Sequence, residues 1–129
     1  MSHPSDQGTA TLETTLMIVV LLPLLFAILE FGDGFHRWLA QDAATAQAAR
    51  FAAEQGGDTP EVRLLLSDAL RDAGIDPERA QIEISPARVG WREPVRVSVR
   101  TDLAIAIPFA LTTVVPLRST AVGRGEIAR

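Results

Sequence analysis

Hydrophobic residues are spread very unevenly along this chain. The main apolar run extends from Leu16 to Leu29 and is interrupted only by Pro23. This run alone is shorter than the about 20 residues that a membrane-spanning helix needs. Counted from Thr9, the segment would form a helix of about 32 Å at about 1.5 Å per residue. It then includes Glu13, and an acid or a proline within lipid requires compensation by a neighbouring group. The pattern predicts a membrane helix that works in contact with other helices.

The flanks of the apolar run argue against a cleavable secretory signal. Residues 1–8 contain no Lys or Arg, and residues 30–34 offer no small-x-small cleavage site. Only His3 precedes the run and Arg37 follows it, so the positive-inside rule assigns no orientation.

The residues after the apolar run continue the helix. The segment 35–53 is rich in alanine and lacks glycine and proline, which favours helix throughout. We expect Gly32 and Gly34 to form a hinge at the membrane surface and Gly56 to end the helix. The predicted contact face follows a helical spacing and comprises Leu39, Ala43, Ala46, Arg50 and Ala53; it could pack on the rest of the domain or on another subunit of a filament.

The remaining pattern predicts one further helix and a small sheet. The second helix begins at Asp58-Thr59-Pro60, and its apolar face comprises Val62, Leu65, Leu66, Ala69, Leu70 and Ala73. Alternation predicts strands over 81–85, over 95–107 as one long or two collinear strands, and over 117–127. The expected fold class is therefore α+β. It has a long N-terminal helix, a second amphipathic helix, and an antiparallel sheet of three to four strands, with Leu66 and Val97 in the core.

Composition and charge narrow the classes of function. The net charge is −4 and the basic residues are scattered, which argues against nucleic-acid binding. Cysteine is absent, and His3 and His36 are too far apart to suggest a metal site, so we expect no metal and no cofactor. Asp68 and Asp72 form an acid pair one helical turn apart, more typical of a solvated helix face than of a catalytic site. We therefore expect a protein that is not an enzyme.

Two surface features are candidate partner contacts. Arg92, Arg96 and Arg100 recur at every fourth residue along the second strand and its approach. They could meet an acidic partner or simply form a solvated strand face. Trp91 either anchors an interface or caps the core.

The start of the chain carries the most specific pattern. Gly8 is followed by Thr9, and Glu13 is the fifth residue after the glycine, directly before the apolar run. This arrangement resembles the site at which prepilin peptidases cut. Cleavage after Gly8 would free an amine on Thr9, which the carboxylate of Glu13 could neutralise, because buried charges need partners. The alternative is a plain single-pass anchor with Glu13 at the lipid headgroups.

Beyond this junction, the segments 8–35 and 39–56 resemble the TadE-like pseudopilins of the tight-adherence (Flp, type IVb) pilus system. The residues that stand at matching places are Glu13, Pro23, Ile28, Glu30, Phe31, Gly32, Ala48, Ala49 and Arg50. The chain departs from the family in a leader without basic residues. It also has Thr9 where many type IV pilins have phenylalanine.

The resemblance implies a minor pilin or pseudopilin whose partners are a prepilin peptidase, other pilin subunits, the assembly platform and the lipid membrane. It implies a single-pass protein of the inner (cytoplasmic) membrane with its N-terminus inside. The expected organisation is a leader peptide over 1–8, a transmembrane helix over 9–31, an amphipathic extension over 32–57 and an ectodomain over 58–129. The alternative function is an uncleaved single-pass protein whose outer domain scaffolds an envelope or secretion complex.

Overall fold

The computed structural model describes residues 4–127 and contains two helices followed by three strands. The helices are α1 (Pro4–Gln55) and α2 (Pro60–Asp72), and the strands are β1 (Gln81–Ser85), β2 (Pro94–Ile107) and β3 (Leu111–Arg124). The strands form one antiparallel sheet in the order β1-β2-β3. This architecture confirms the predicted α+β class and gives the sheet three strands.

Helix α1 is continuous over 52 residues and passes through Pro23. The predicted hinge is wrong, because the helix also continues through Gly32 and Gly34. A Cβ atom built on Gly34 would lie 2.7 Å from Cδ2 of Leu103, whereas one built on Gly32 meets nothing within 4 Å. The side chain of Leu103 therefore packs directly against α1 at Gly34.

The buried face of α1 differs from the predicted one. The buried alanines are Ala44, Ala48, Ala49, Ala52 and Ala53. Of the predicted face, Ala53 alone is buried, Ala46 is half-buried, and Leu39, Ala43 and Arg50 are exposed. Alanine occurs all around this part of the helix, so hydrophobic contrast does not fix the face. The sheet fixes it instead, since a Cβ on Gly123 would overlap the backbone carbonyl of Ala49.

Helix α2 forms as predicted. Thr59 is its N-cap and accepts a hydrogen bond from the backbone N–H of Val62, and Pro60 occupies the first turn. Asp58 pairs with Arg63 at 2.6 Å, and this hydrogen bond raises the pKa of the Arg63 guanidinium. The predicted apolar face is confirmed, with its members either fully or partly buried.

The sheet confirms two predicted strands and corrects the third. Strand β3 begins at Leu111, six residues before the predicted start at Leu117. The early part of β3 lacks clear alternation and contains Pro116, which cannot donate a hydrogen bond to a strand ladder. An edge strand tolerates a proline, and β3 lies at the edge of the described sheet.

Both helices lie on one face of the sheet and form the core with it. Val95, Val97 and Val99 of β2 are buried in the same cluster as Leu66 and Leu70 of α2 and the alanines of α1. Leu66 and Val97 are fully buried, which confirms the core prediction for both residues.

Candidate functional site

The predicted cleavage junction lies within the first turns of α1. Gly8 and Glu13 are exposed, and a Cβ built on Gly8 meets nothing within 4 Å. Thr14 and Thr15 each donate a hydrogen bond of 2.9 Å to the backbone carbonyl four residues earlier. The helix backbone thereby satisfies these hydroxyl groups, which suits a segment that enters lipid.

Glu13 has no ionic partner among residues 8–127. The ion pairs of this part of the chain join Arg37 to Asp33, Arg63 to Asp58, Arg71 to Asp68 and Arg79 to Asp76. No Lys or Arg precedes Arg37 in the sequence. In lipid, the partner of Glu13 would therefore be an N-terminal amine or a group of another chain.

The apolar part of α1 is exposed except at Pro23 and Ala27, which are half-buried. Large side chains from Leu16 to Leu29 lie on the surface. By length and composition, the described part of the chain has one candidate membrane span, within Gly8–Gln55, and 0% of its most apolar window is buried. The ion pair of 2.8 Å between Arg37 and Asp33 follows the apolar part on its C-terminal side. A largely exposed apolar helix of this length fits a single-pass membrane protein.

A buried amide that the sequence analysis missed joins α1 to the sheet. Gln41 is fully buried, and its Nε2 donates to the carbonyl oxygens of Val99 at 3.1 Å and Leu117 at 3.4 Å and to Oγ of Ser119 at 3.3 Å. Its Oε1 accepts a hydrogen bond from the Thr101 hydroxyl. The signal was present in β2, where Thr101 is the polar exception among apolar inward positions.

Neighbouring polar groups extend this contact along α1. Thr45 donates to the backbone carbonyl of Gln41 at 2.7 Å. One turn before Gln41, Nε1 of Trp38 donates to the carbonyl of Arg118 at 3.3 Å. The bonds of Trp38 and Gln41 to the sheet fix its rotation and height on α1, whereas the Thr45 bond lies within the helix.

The candidate arginines lie on the sheet face opposite the helices. Arg96 and Arg100 are exposed on β2, and Arg100 stands directly opposite Arg118 of β3. Among residues 8–127, none of these three arginines forms an ion pair. The same face carries Glu83 and Asp102, so it is a solvent-exposed surface on which arginines outnumber acids.

Trp91 and Arg92 lie in the loop before β2. Trp91 is 60% exposed, so the alternative that it caps the core is wrong. Arg92 has a φ of 63° and its backbone N–H donates to the carbonyl of Gly125 at 2.7 Å. The loop is thus fixed to the end of β3 and presents the indole to solvent.

Within the described residues, no group of three or more His, Cys, Asp or Glu side chains could hold a metal ion.

The fold is a small α+β domain attached to a long helix, and its exposed apolar segment fits a single-pass membrane protein. Residues 8–50 match the model of the family described as TadE-like protein. This match confirms the resemblance found in the sequence, and it includes the junction at Gly8, Glu13 and Pro23. The match covers about a third of the chain, at its N-terminal end. Comparison with the curated proteins and with the solved structures gave no match.

Proposed function

We propose that the chain is a TadE-like minor pilin or pseudopilin that takes part in the assembly of a Flp/type IVb (Tad) pilus for adherence. A prepilin peptidase cleaves it between Gly8 and Thr9. The observation that carries this proposal is the family match, which begins at Gly8 and includes Glu13. The exposed apolar surface of α1 directly after Glu13 supports it further.

In this proposal, Glu13 pairs with an N-terminal amine. Cleavage converts the backbone amide of Thr9 into a charged amine, one helical turn from Glu13, so the two groups can pair within one subunit. In an assembly, Glu13 takes the amine of a neighbouring subunit instead. Pairing removes the cost of an isolated carboxylate in lipid and fixes the axial position of one helix against the next. Pro23 marks a position where a neighbouring helix compensates for the missing backbone donor.

The proposed topology places the N-terminus in the cytoplasm and the ectodomain outside the cytoplasmic membrane. Residues 1–8 form the leader, of which 1–3 lie outside the described residues, and 9–31 span the membrane. The segment 32–57 extends the helix, and 58–129, described as far as 127, forms the ectodomain. The basic face around Arg96 and Arg100, together with the loop of Trp91 and Arg92, is the proposed contact with other pilus subunits or the assembly platform.

The alternative is an uncleaved single-pass protein whose outer domain scaffolds an envelope or secretion complex. The exposed apolar helix would serve as the anchor in this alternative as well. The two functions differ in the fate of residues 1–8.

The deciding experiment is the intact mass of the full chain, purified from membranes after expression with and without its prepilin peptidase. We expect wild-type protein to begin at Thr9 only when the peptidase is present. Gly8→Leu should retain residues 1–8, because the bulky side chain blocks the cleavage position.

Gly32→Leu is the matched control, since Gly32 is also an exposed helical glycine with nothing within 4 Å of a built Cβ. This variant should be processed like the wild type. Wild-type protein that keeps residues 1–8 in the presence of an active peptidase would contradict the proposal and favour the uncleaved scaffold.

A further inference from the structure

The hairpin formed by β2 and β3 extends well beyond β1. Strand β1 pairs with β2 only over Arg96–Arg100, whereas β2 and β3 remain paired as far as Ile107 and Leu111. From Leu103 to Leu117 the chain carries no charged side chain. We call residues 103–117 the hairpin arm. Its composition contrasts with the basic face formed by the rest of the sheet.

The hairpin arm lies beside the end of α1 that leads into the apolar segment. Thr101 of β2 bonds to Gln41 of α1. Leu103, two residues further along β2, contacts Gly34 of α1. Beyond these contacts, an apolar groove is lined by Phe31 and Phe35 of α1 and by Ile105 and Val115 of the arm. Passing from Thr101 towards Ile107 therefore means passing towards the N-terminus of α1.

The tip of the arm reaches the level of the apolar helix segment. Strand β2 continues for two residues beyond Ile105, about 7 Å at about 3.3 Å per residue, and the turn at 108–110 follows it. Among residues 8–33, Pro23, Ala27 and Glu30 are the positions of α1 that are not fully exposed. These positions share one side of the helix with Gly34, as expected if the arm covers that side. The tip thus lies further towards the apolar segment than Glu30, the first charged residue after it.

The tip presents large apolar side chains to its surroundings. Phe109 is 94% exposed and Val114 is 59% exposed. The backbone of the turn is closed by a hydrogen bond of 3.1 Å from the N–H of Ala110 to the carbonyl of Ile107, and Phe109 has a φ of 63°. An exposed apolar patch of this kind marks a site of contact with a protein or a membrane.

We infer that the tip of the hairpin arm, residues 107–114, inserts into the headgroup region of the bilayer that α1 spans. Lipid is the favoured occupant because the tip is continuous with the membrane segment and carries no charge for a polar partner to recognise. The open strand edges limit the depth, since unpaired backbone groups need water and are not tolerated in hydrocarbon. This inference rests on α1 spanning the membrane and is independent of cleavage after Gly8.

The arm would give the domain a second membrane contact next to the helix. A single membrane helix leaves the attached domain free to tilt. A second contact through the neighbouring hairpin would restrict that tilt relative to the bilayer. The domain would then stand in a fixed orientation on the membrane surface before any partner binds.

The test uses single cysteines, because the chain contains none of its own. Phe109→Cys and Val114→Cys, both at exposed sites, are labelled with an environment-sensitive fluorophore in the full chain. The labelled chains are reconstituted into phosphatidylcholine/phosphatidylglycerol vesicles. Arg124→Cys, at the exposed far end of β3, is the matched control, and Leu25→Cys reports on the span. Quenching by lipids with a shallow spin label is compared with quenching by aqueous iodide.

We expect spin-labelled lipid to quench the labels at 109 and 114 several-fold more than the label at 124. Iodide should show the reverse order. Iodide access at 109 and 114 equal to that at 124 would overturn the inference. So would protection from both quenchers that grows with the ratio of protein to lipid, because it would identify a second copy as the occupant.

A label at residue 25 that lipid does not quench would overturn both the inference and the membrane span. Quenching at 25 without quenching at 109 would overturn the inference alone. The intact mass of the chain in the same preparations shows separately whether residues 1–8 have been removed.

Discussion

Replacement of Gln41 by leucine is expected to destabilise the fold far more than the same replacement at the exposed Gln47. The amide is fully buried, donates to acceptors on β2 and β3, and accepts from the hydroxyl of Thr101. Leucine has a similar volume, so little cavity forms and the effect comes from lost hydrogen bonds. The two amide hydrogens and the carbonyl oxygen of Gln41 make about three bonds at about 1 kcal/mol each. After the partly offsetting gain of apolar burial, the free energy of unfolding should fall by about 2 to 3 kcal/mol.

The measurement is urea denaturation of the full chain in detergent micelles, followed by tryptophan fluorescence. Trp38 is a suitable reporter because its indole bonds to the sheet one turn from Gln41. Gln47→Leu is the matched control on an exposed position of the same helix and should change stability by less than about 0.5 kcal/mol.

A double-mutant cycle separates the hydrogen bond from general disruption. Thr101→Val leaves one side of the amide without its donor, and Gln41→Leu leaves the hydroxyl of Thr101 without its acceptor. The double variant removes both partners, so its loss should be smaller than the sum of the single losses by about 1 kcal/mol or more. Strictly additive losses, or a Gln41→Leu variant as stable as Gln47→Leu, would refute this account of how α1 is fixed to the sheet.

Three further predictions concern the core, the helix contact and the membrane carboxylate. Leu66→Ala and Val97→Ala should each lower the free energy of unfolding by roughly 2 to 4 kcal/mol, and unchanged melting temperatures for both would show that the helix-on-sheet core is wrong. Gly34→Val should loosen the hairpin arm by steric overlap and lower the melting temperature, whereas Gly32→Val should do so only slightly; equal effects would contradict the close contact. Glu13→Ala and Glu13→Gln should reduce surface pili while cleavage and membrane insertion persist, and normal piliation with Glu13→Ala would favour the uncleaved scaffold.

The sequence predicted those elements in which apolar and polar positions contrast strongly. Helix α2 has a cap, a proline in its first turn and a clear apolar face, and β2 alternates over its whole length, so both were predicted closely. The face of α1 was not, because alanines surround the helix and the burial of any one depends on where the sheet packs. The early part of β3 was missed because pairing with β2, rather than its own pattern, makes it a strand.

The candidate site shows the same division. Gly8, Thr9 and Glu13 were predicted as junction residues from their spacing before an apolar run, which is a local property of the sequence, and they remain a prediction. The contact of Gln41 with Thr101 and the position of the hairpin arm beside Phe31 depend on residues that are distant in the sequence. Only the folded chain brings these groups together, so no local pattern could reveal them.

Because α1 is unbroken, the α+β domain and the membrane segment cannot rotate independently about the helix axis. Each residue inserted into or removed from the helix between Glu13 and Gln41 would turn one end against the other by about 100° and shift it by about 1.5 Å. The basic face of the sheet therefore points in a direction set by helical phase relative to Glu13. If contacts with neighbouring subunits fix the direction in which Glu13 points within the bilayer, they also fix the direction in which the arginine face points beyond the membrane.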